Sequence, residues 1–140
     1  MKIKIKKMRE DAKLPSYAHP GDVGMDLFAV ESVVIPAGER ALIWNGFALE
    51  FPTGFAAIVK DKSGTARSGL HVLGGVYDAG YRGEYNTQLV NLSDSTITIE
   101  RGQKVSQLVL FPVEIPELEE VLELSESSRG EGRFGSTGKV

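Results

Sequence analysis

Three glycine-rich polar segments contain, between them, acidic, basic and aromatic side chains. They are KDKSGTARSGL at 60–70, GGVYDAGYRGEYN at 74–86 and RGEGRFGSTGKV at 129–140. Glycine leaves main-chain N–H groups accessible, and such groups bind small anions such as phosphate when hydroxyl or ammonium donors join them. Each segment alone could be an ordinary turn or a frayed end, so any chemistry must be argued from all three together.

The middle segment carries the strongest candidates for a reaction. Its centre, DAGYRGE, predicts a hairpin between two β-patterned runs, which places Asp78 and Tyr81 on one surface. A carboxylate held there can act as a general base on a water molecule, and an aromatic ring offers a flat face to a sugar or base. Turn chemistry alone also explains Asp and Gly at a hairpin, so both interpretations stay open at this point.

The other two segments offer groups for binding an anion and a ring. In the first, Ser63 and Gly64 open a short turn beside Lys62, which is a weak signal of an anion site. In the last, Arg129, Ser136 and Thr137 add charge and hydroxyl donors. Phe134 has nothing local to pack against, and stacking on a base contributes roughly 1–3 kcal/mol, which offsets part of the cost of ordering a mobile segment.

The elements around these segments are predicted to be short strands. A chain of 140 residues with 41% hydrophobic and 25% charged residues fits one globular domain. Period-two alternation recurs from KIKIK at 2–6 to KVSQLVLF at 104–111, with Gly, Pro, Asn or Asp in the gaps. This pattern predicts an all-β fold, a jelly-roll-like β-sandwich or distorted barrel, with one short helical turn at 63–69. Residues 1–124 form the predicted domain, and 125–140 form a flexible glycine-rich tail.

Composition excludes several classes of function. A net charge of −3 gives no general field for nucleic acid, and the absence of cysteine excludes a disulfide, a thiolate metal site and a cysteine nucleophile. The two histidines are not spaced as metal ligands, so a metal is expected to be held by substrate oxygens. No run approaches the ~18 apolar residues of a membrane span and the N-terminus lacks an apolar signal region. We expect an intracellular protein, cytoplasmic by default, with no nucleic-acid or membrane partner.

In sequence order, five stretches resemble the five motifs of the trimeric deoxyuridine triphosphatases (dUTPases). They are HPGDVGMDLFA at 19–29, DKSGTA at 61–66, GGVYDAGYRGE at 74–84, RGQKVSQLV at 101–109 and RGEGRFGSTG at 129–138. The resemblance spans nearly the whole chain. It implies a jelly-roll subunit in a homotrimer with active sites at subunit interfaces, and hydrolysis of dUTP to dUMP and pyrophosphate.

The resemblance also implies roles for individual residues in binding the nucleoside. Asp78 activates the water that attacks the α-phosphorus, and Tyr81 packs under the deoxyribose and leaves no room for a 2′-hydroxyl. Uracil is read by the main chain of the two hairpin arms, which excludes a 5-methyl group. The groups that read it belong to Gly75, Val76 and Tyr77 on one arm and Asn86 on the other. Tyr77 stands where aliphatic residues are common, and Val72 where some members carry a polar side chain.

For the triphosphate, the resemblance implies a second group of residues. Lys62, Ser63 and Gly64 hold the α- and β-phosphates with support from Gln107, and Asp26 occupies the acidic position of the first motif. Mg²⁺ bridges phosphate oxygens and otherwise keeps its water, as this hard cation commonly does. The tail of one subunit closes over a neighbour's site; its contacts come from Phe134 on the uracil and from Arg129, Gly135, Ser136 and Thr137 around the phosphates.

Two alternatives remain beside dUTP hydrolysis. A dCTP deaminase, or a bifunctional relative, shares the fold but uses a glutamate where this chain has Gln88, which cannot shuttle a proton. A non-catalytic binding or regulatory module could retain the fold without the activity, because a fold alone does not fix a function.

Overall fold

The computed structural model describes all 140 residues, which form eleven strands and one short helix. The strands are β1 Lys4–Lys7, β2 Met25–Phe28, β3 Val33–Ile35, β4 Arg40–Trp44, β5 Phe47–Glu50, β6 Phe55–Lys60, β7 Leu70–Leu73, β8 Val76–Tyr77, β9 Asn86–Asn91, β10 Ile97–Ile99 and β11 Lys104–Pro112. The helix α1, Ser63–Arg67, lies within the predicted helical turn. The all-β prediction is therefore confirmed.

The strands pair in four antiparallel sheets. The largest has the order β2-β11-β6-β8, and a three-stranded sheet has the order β4-β9-β7; β1 pairs with β5, and β10 pairs with β3. In the largest sheet, β11 is the longest strand and pairs with β2 on one side and β6 on the other. This central place sets the register of both neighbours.

The core between the sheets contains sixteen buried apolar residues drawn from most of the strands. Alternation along β9 shows how the sequence produces it: Thr87, Leu89 and Asn91 are buried, whereas Gln88 between them is exposed. Because side chains of a strand alternate between faces, β9 contributes one face to the core and the other to the surface.

A hydrogen-bonded polar group lies inside this core. The Thr87 hydroxyl donates to Asn45 Oδ1 at 3.1 Å and shares a 2.7 Å hydrogen bond with the Ser106 hydroxyl, and Asn45 Nδ2 donates to the Phe28 carbonyl at 3.0 Å. Thr87, Asn45 and Ser106 are fully buried. Such a group is tolerated because its polar atoms find partners inside the protein. It ties β9 to β11 through the core.

The predicted DAGYRGE hairpin differs from the observed arrangement. The strands before and after the turn, β8 and β9, do not pair with each other; β8 pairs with β6, while β9 pairs with β7. Gly74 and Gly75 lie between β7 and β8 with φ of 64° and 90°, a region that glycine adopts readily. They redirect the chain from one sheet to the other, so the turn connects two sheets.

Regular structure ends with β11. The last main-chain hydrogen bond to the body is from Val113 N–H to the Gly54 carbonyl at 2.9 Å, and residues after Pro112 form no strand or helix. The division of the chain at residue 124 stays a prediction. With only five residues, α1 is far shorter than a helix that crosses a membrane, and the chain has no other helix.

We predict that Thr87→Val lowers the free energy of unfolding by about 1–3 kcal/mol, because valine fits the space but leaves Asn45 Oδ1 without its buried donor. Denaturant titration of the two proteins measures the difference. Thr98→Val, on an exposed face of β10, is the matched control and should change stability little. Equal effects of the two substitutions would contradict the role of the buried group.

Candidate functional site

A cavity of about 290 Å³ opens between β8, β9 and the turn that joins them. Its lining contains six residues predicted to bind the nucleoside or to act in catalysis, together with Gln88; they are Gly75, Val76, Tyr77, Asp78, Tyr81, Asn86 and Gln88. Asn86 and Gln88 lie two residues apart on β9, and therefore present their carboxamides on the same face. The cavity therefore combines a carboxylate, aromatic rings and carboxamide groups.

The Asp78 carboxylate lies at the exposed side of this cavity. The Asp78 carbonyl accepts a 3.1 Å hydrogen bond from the Tyr81 N–H, which closes the turn. Its side chain makes no hydrogen bond or ion pair with another residue. The carboxylate is consequently free to accept a hydrogen bond from water or from a ligand.

Tyr81 is held against the turn by its neighbours. A side chain at Gly83 would overlap the Tyr81 ring and hydroxyl, so glycine leaves the room that the ring occupies. The Tyr81 hydroxyl donates to the Glu84 carbonyl at 3.1 Å, and the Glu84 carboxylate pairs with Arg9 at 2.8 Å. These contacts fix the position of the aromatic ring of Tyr81, a residue that is 40% exposed.

Tyr77 belongs to an aromatic stack behind the cavity. Its ring lies 4.0 Å from that of Tyr85 with an interplanar angle of 12°, and the Tyr85 ring lies 4.9 Å from that of Phe47. Burial raises the pKa of Tyr77, against the hydrogen bond from the Asn86 main chain, and burial also raises the pKa of Tyr85. Both phenols are therefore neutral at physiological pH.

The residues predicted to hold phosphate form a second group across the largest sheet. Gln107 of β11 lies opposite Asp26 of β2 on one side and Lys60 of β6 on the other. Lys62 follows two residues after Lys60, at the end that leads into α1. The pairing of three strands thus brings together stretches from the first, second and fourth motif regions.

Gln107 fixes the segment that leads into α1. Its side-chain Nε2 donates to the Asp61 carbonyl at 2.8 Å, and a side chain at Gly24 would overlap the Gln107 amide. Asp61, which sequence reasoning missed, accepts a 2.6 Å hydrogen bond from the Val72 N–H and contacts His71 Nδ1 at 2.6 Å. The only feature of the sequence that could have indicated a role for Asp61 is its position between two lysines in KDKSG.

Asp26 is a buried carboxylate between two ammonium groups. Lys62 contacts one carboxylate oxygen and Lys104 lies 2.6 Å from the other. Burial alone would raise the pKa of Asp26, but hydrogen bonds and charge from Lys104 and Lys62 outweigh it and hold this pKa below its usual value. Lys104 was not among the predicted site residues, although it lies in the quoted RGQKVSQLV stretch.

Ser63 and Gly64 are exposed at the first turn of α1. The first N–H groups of a helix have no intrahelical acceptor, so those of Ser63 and Gly64 can donate to a ligand. This end of α1 has no cap from a side chain. The predicted donors are thus present at this turn, while the Lys62 ammonium is bound to Asp26.

The tail residues lie apart from both groups. Each hydrogen bond made by residues 125–140 joins two residues of that segment, for example from Arg129 Nε to the Gly132 carbonyl at 3.0 Å. Phe134 is 97% exposed, and Gly135, Ser136 and Thr137 are exposed as well. Within this chain, the structure does not bring the tail to the cavity.

The carboxylates do not form a cluster suited to holding a divalent cation. No group of three or more His, Asp or Glu side chains has metal-ligand proximity. Both oxygens of Asp26 face ammonium groups, and Asp78 stands alone at the cavity. Of these two carboxylates, only that of Asp78 is free of ammonium partners.

Comparison with known proteins gives a consistent result. A sequence model of the family described as dUTPase matches residues 10–138. The deoxyuridine 5′-triphosphate nucleotidohydrolase of Clostridium tetani is 47% identical over 140 residues, which cover 98% of this chain and 97% of that protein.

Solved structures show the same similarity in three dimensions. The dUTPase of Staphylococcus bacteriophage 80alpha with dUPNHPP has a TM-score of 0.92 and 30% identity, covering 98% of both chains. A mutant dUTPase from phage phi11 of S. aureus, which coordinates a structural Mg(II) ion, has a TM-score of 0.84 and 26% identity, covering 90% of this chain and all of that chain.

We predict that Asp26→Asn lowers the free energy of unfolding at pH 7 by about 1–3 kcal/mol, because two ammonium groups lose their shared counter-charge. Lys104 and Lys62 hold the pKa of Asp26 below its usual value in the folded protein, so its stabilisation is full above that usual value and is lost as the pH falls through the folded pKa. The difference between wild type and variant should therefore shrink below pH 3.8.

Denaturant titrations at pH 7 and at several pH values below about 4 measure this difference. Asp94→Asn, at an exposed turn position with no ion pair, is the matched control and should change stability little at any pH. A stability difference for Asp26→Asn that does not depend on pH would contradict the assigned charge interaction.

Proposed function

This chain belongs to the dUTPase family, and we propose that it is a dUTP diphosphatase that hydrolyses dUTP to dUMP and pyrophosphate. The observation that carries the proposal is the single cavity that joins the Asp78 carboxylate, the Tyr81 ring and the Asn86 end of β9. In the cell, we place this reaction in the cytoplasm, where it limits uracil incorporation into DNA and supplies dUMP for thymidylate synthesis.

Asp78 is the proposed general base. Its carboxylate is free of other protein contacts, so it can accept a hydrogen bond from the attacking water and take its proton. The water oxygen forms a bond to the α-phosphorus, and the bond from that phosphorus to the α,β-bridging oxygen breaks. Pyrophosphate leaves with the electron pair of that bond, and dUMP remains.

Tyr81 and the two arms of the turn select the nucleoside. The Tyr81 ring, fixed over Gly83, packs under the deoxyribose and excludes a 2′-hydroxyl by contact. The main chain of Gly75 to Tyr77 and of Asn86 reads the uracil edge. Val72 is an apolar side chain with 8% exposure, so it offers no side-chain hydrogen bond to the base.

The triphosphate lies beside α1 in this proposal. Ser63 and Gly64 donate main-chain N–H groups, and Lys62 exchanges its contact with Asp26 for one with phosphate oxygens. One negative charge on Asp26 meets two positive charges on Lys62 and Lys104, so the group has a net positive charge and is suited to an anion before the exchange. Gln107 supports the site indirectly, through its hydrogen bond to the Asp61 carbonyl.

Mg²⁺ is the proposed cofactor, carried by the triphosphate. The scattered carboxylates fit this arrangement, because phosphate oxygens and water can supply the ligands that the protein lacks. When bound, the ion neutralises phosphate charge and orients the triphosphate. Asp78 and the α1 turn then act on a substrate whose shape is already restricted.

We further propose a homotrimer in which subunits share their sites. The separation of the tail from the cavity within one subunit supports shared sites, because Phe134 can then stack on the uracil ring bound in a neighbour's site. Apolar side chains after β11 also lack partners within the subunit; these include Ile115 at 71% exposure, Leu118 at 91% and Leu122 at 104%. In the closed site, Phe134 stacks on uracil while Arg129, Gly135, Ser136 and Thr137 surround the phosphates.

Gln88 argues against deamination of dCTP. Its carboxamide lines the cavity at the place where a deaminase uses a glutamate, and an amide cannot carry a proton between water and a base. A purely non-catalytic module would have no need for an uncommitted carboxylate in the same cavity. A pure dCTP deaminase and a non-catalytic module both predict no pyrophosphate release from dUTP, whereas a bifunctional relative also predicts ammonia release from dCTP.

We predict that the protein releases pyrophosphate from dUTP in preference to dTTP, dCTP and UTP, and loses this activity when magnesium is chelated. Asp78→Asn should keep nucleotide binding but lower kcat by at least ~10², because the amide cannot take the proton. Asp94→Asn is the matched control. Absence of dUTP hydrolysis by the wild type would contradict the proposed function, and near-normal kcat in Asp78→Asn would remove Asp78 from its role.

We predict that two inactive variants restore activity when their subunits are mixed. One variant is Asp78→Asn, and the other ends at Ser128 and so lacks Arg129 and every later residue of the tail. Mixed trimers can combine an intact Asp78 with an intact tail, whereas neither parent can. Exchange is verified by mass measurement of the mixed trimers, and absence of activity despite exchange would contradict shared sites.

A further inference from the structure

The end of β9 has main-chain groups that no strand pairs. The main-chain hydrogen-bonding groups of Tyr85 and Asn91 point toward the β4 side of β9. The Tyr85 carbonyl accepts from the Asn45 N–H at 3.0 Å, and the Asn91 N–H donates to the Glu39 carbonyl at 2.8 Å. Main-chain groups alternate in direction along a strand, so Asn86 directs its N–H and its carbonyl to the opposite edge. There β7 has already ended at Leu73, which pairs with Gln88.

The Tyr77 hydroxyl forms hydrogen bonds with both the N–H and the carbonyl of Asn86. It donates to the Asn86 carbonyl at 2.8 Å and accepts from the Asn86 N–H at 3.0 Å. A phenol can do this because its oxygen carries one donor and also accepts. Its ring is held in place by the 4.0 Å stack on Tyr85. The Tyr77 side chain thus satisfies the main-chain groups of Asn86 that a neighbouring strand would otherwise pair, at the edge of the cavity.

The imide edge of uracil offers the same pair of functions. Its N3–H is a donor, and the carbonyl beside it is an acceptor, so the edge can satisfy the carbonyl and the N–H of one residue together. Under the proposed function, the Asn86 main chain reads the base. The Tyr77 hydroxyl and the base therefore need the same two groups, and both cannot hold them at once.

We propose that the Tyr77 hydroxyl is an internal competitor of the base, which closes the Asn86 edge in the nucleotide-free protein and must leave when uracil binds. This inference rests on the proposed function. The competitor is attached to the site and held by stacking, so its effective concentration is higher than that of a free ligand. Water at the same edge would be displaced more easily.

Competition of this kind also favours bases that present a hydrogen-bond donor beside an acceptor. A ligand that supplies both a donor and an acceptor restores each hydrogen bond that Tyr77 gives up. A ligand that supplies only one leaves a polar group of Asn86 unpaired inside the cavity, which is unfavourable. Tyr77 thereby becomes a specificity-determining residue through the groups that it covers, in addition to the contact of its own main chain with the base.

The test is Tyr77→Phe, which keeps the stacked ring and removes the hydroxyl. We expect the KM for dUTP and the Kd for dUMP, measured by calorimetry, to fall about three- to tenfold relative to wild type, since one or two hydrogen bonds no longer compete. Tyr85→Phe is the matched control: it removes the neighbouring hydroxyl, which is buried and has no hydrogen-bond partner. Its KM and Kd should stay at the wild-type values.

A second measurement follows the Asn86 amide directly. Without nucleotide, its ¹H–¹⁵N resonance should shift in Tyr77→Phe and stay in place in Tyr85→Phe. A third uses dUMP methylated at N3, which lacks the donor; it should bind the wild type at least ~10-fold more weakly than dUMP does.

The outcomes separate this inference from the proposed function. An unchanged or higher Kd for dUMP in Tyr77→Phe overturns the inference, as does an equal gain in Tyr85→Phe, which would indicate general loosening of the stack. Equal binding of dUMP and its N3-methyl form also overturns it, because the Asn86 carbonyl would then not read the base. Failure of the wild type to hydrolyse dUTP contradicts the proposed function instead, and the dUMP affinities still decide the inference.

Discussion

The arrangement of the residues proposed to bind phosphate depends on one constraint, the pairing of β11 with β2 and β6 at once. Gln107 in the middle strand lies opposite Asp26 and Lys60, and its side chain reaches the Asp61 carbonyl. A slip of one residue in either pairing would turn the side chains of that strand to the other face of the sheet. Buried Leu108 and Val105 on β11 oppose such a slip, because they would leave the core. The hydrophobic pattern of one strand therefore keeps three distant segments together.

The charge at this group follows from burial. Asp26 is 3% exposed, and an unpaired carboxylate there would be costly, so Lys62 and Lys104 stabilise it. Their excess charge gives the group its preference for an anion. The ion pair with Asp26 keeps the flexible Lys62 side chain ordered before a ligand arrives. Lys62 can exchange this ion pair for a contact with an anion. In the proposed function, structural stability and readiness for phosphate thus come from the same three side chains.

The cavity depends on a different principle, the placing of glycine where a side chain would fill space. Gly75 approaches the Val59 carbonyl so closely that a Cβ would lie 2.9 Å from it, and Gly83 leaves room for the Tyr81 ring. Behind them, the stack of Tyr77, Tyr85 and Phe47 supports the wall. The turn is therefore supported on its inner side and open on the side of Asp78. This combination suits the proposed function, in which the cavity holds a base and a sugar and still admits water.

The sequence by itself determined the class of the fold, the short helix and most members of the cavity, because alternation, glycine punctuation and motif order are local properties of the chain. It did not determine which strands pair. The DAGYRGE turn connects two sheets, since pairing of β8 with β6 is decided by packing between residues distant in sequence. Contacts between remote segments likewise made Lys104 a partner of Asp26 and Asp61 a support of the α1 turn. The double hydrogen bond of Tyr77 to Asn86 belongs to the same class, because it requires the end of β7 to leave an edge of β9 free.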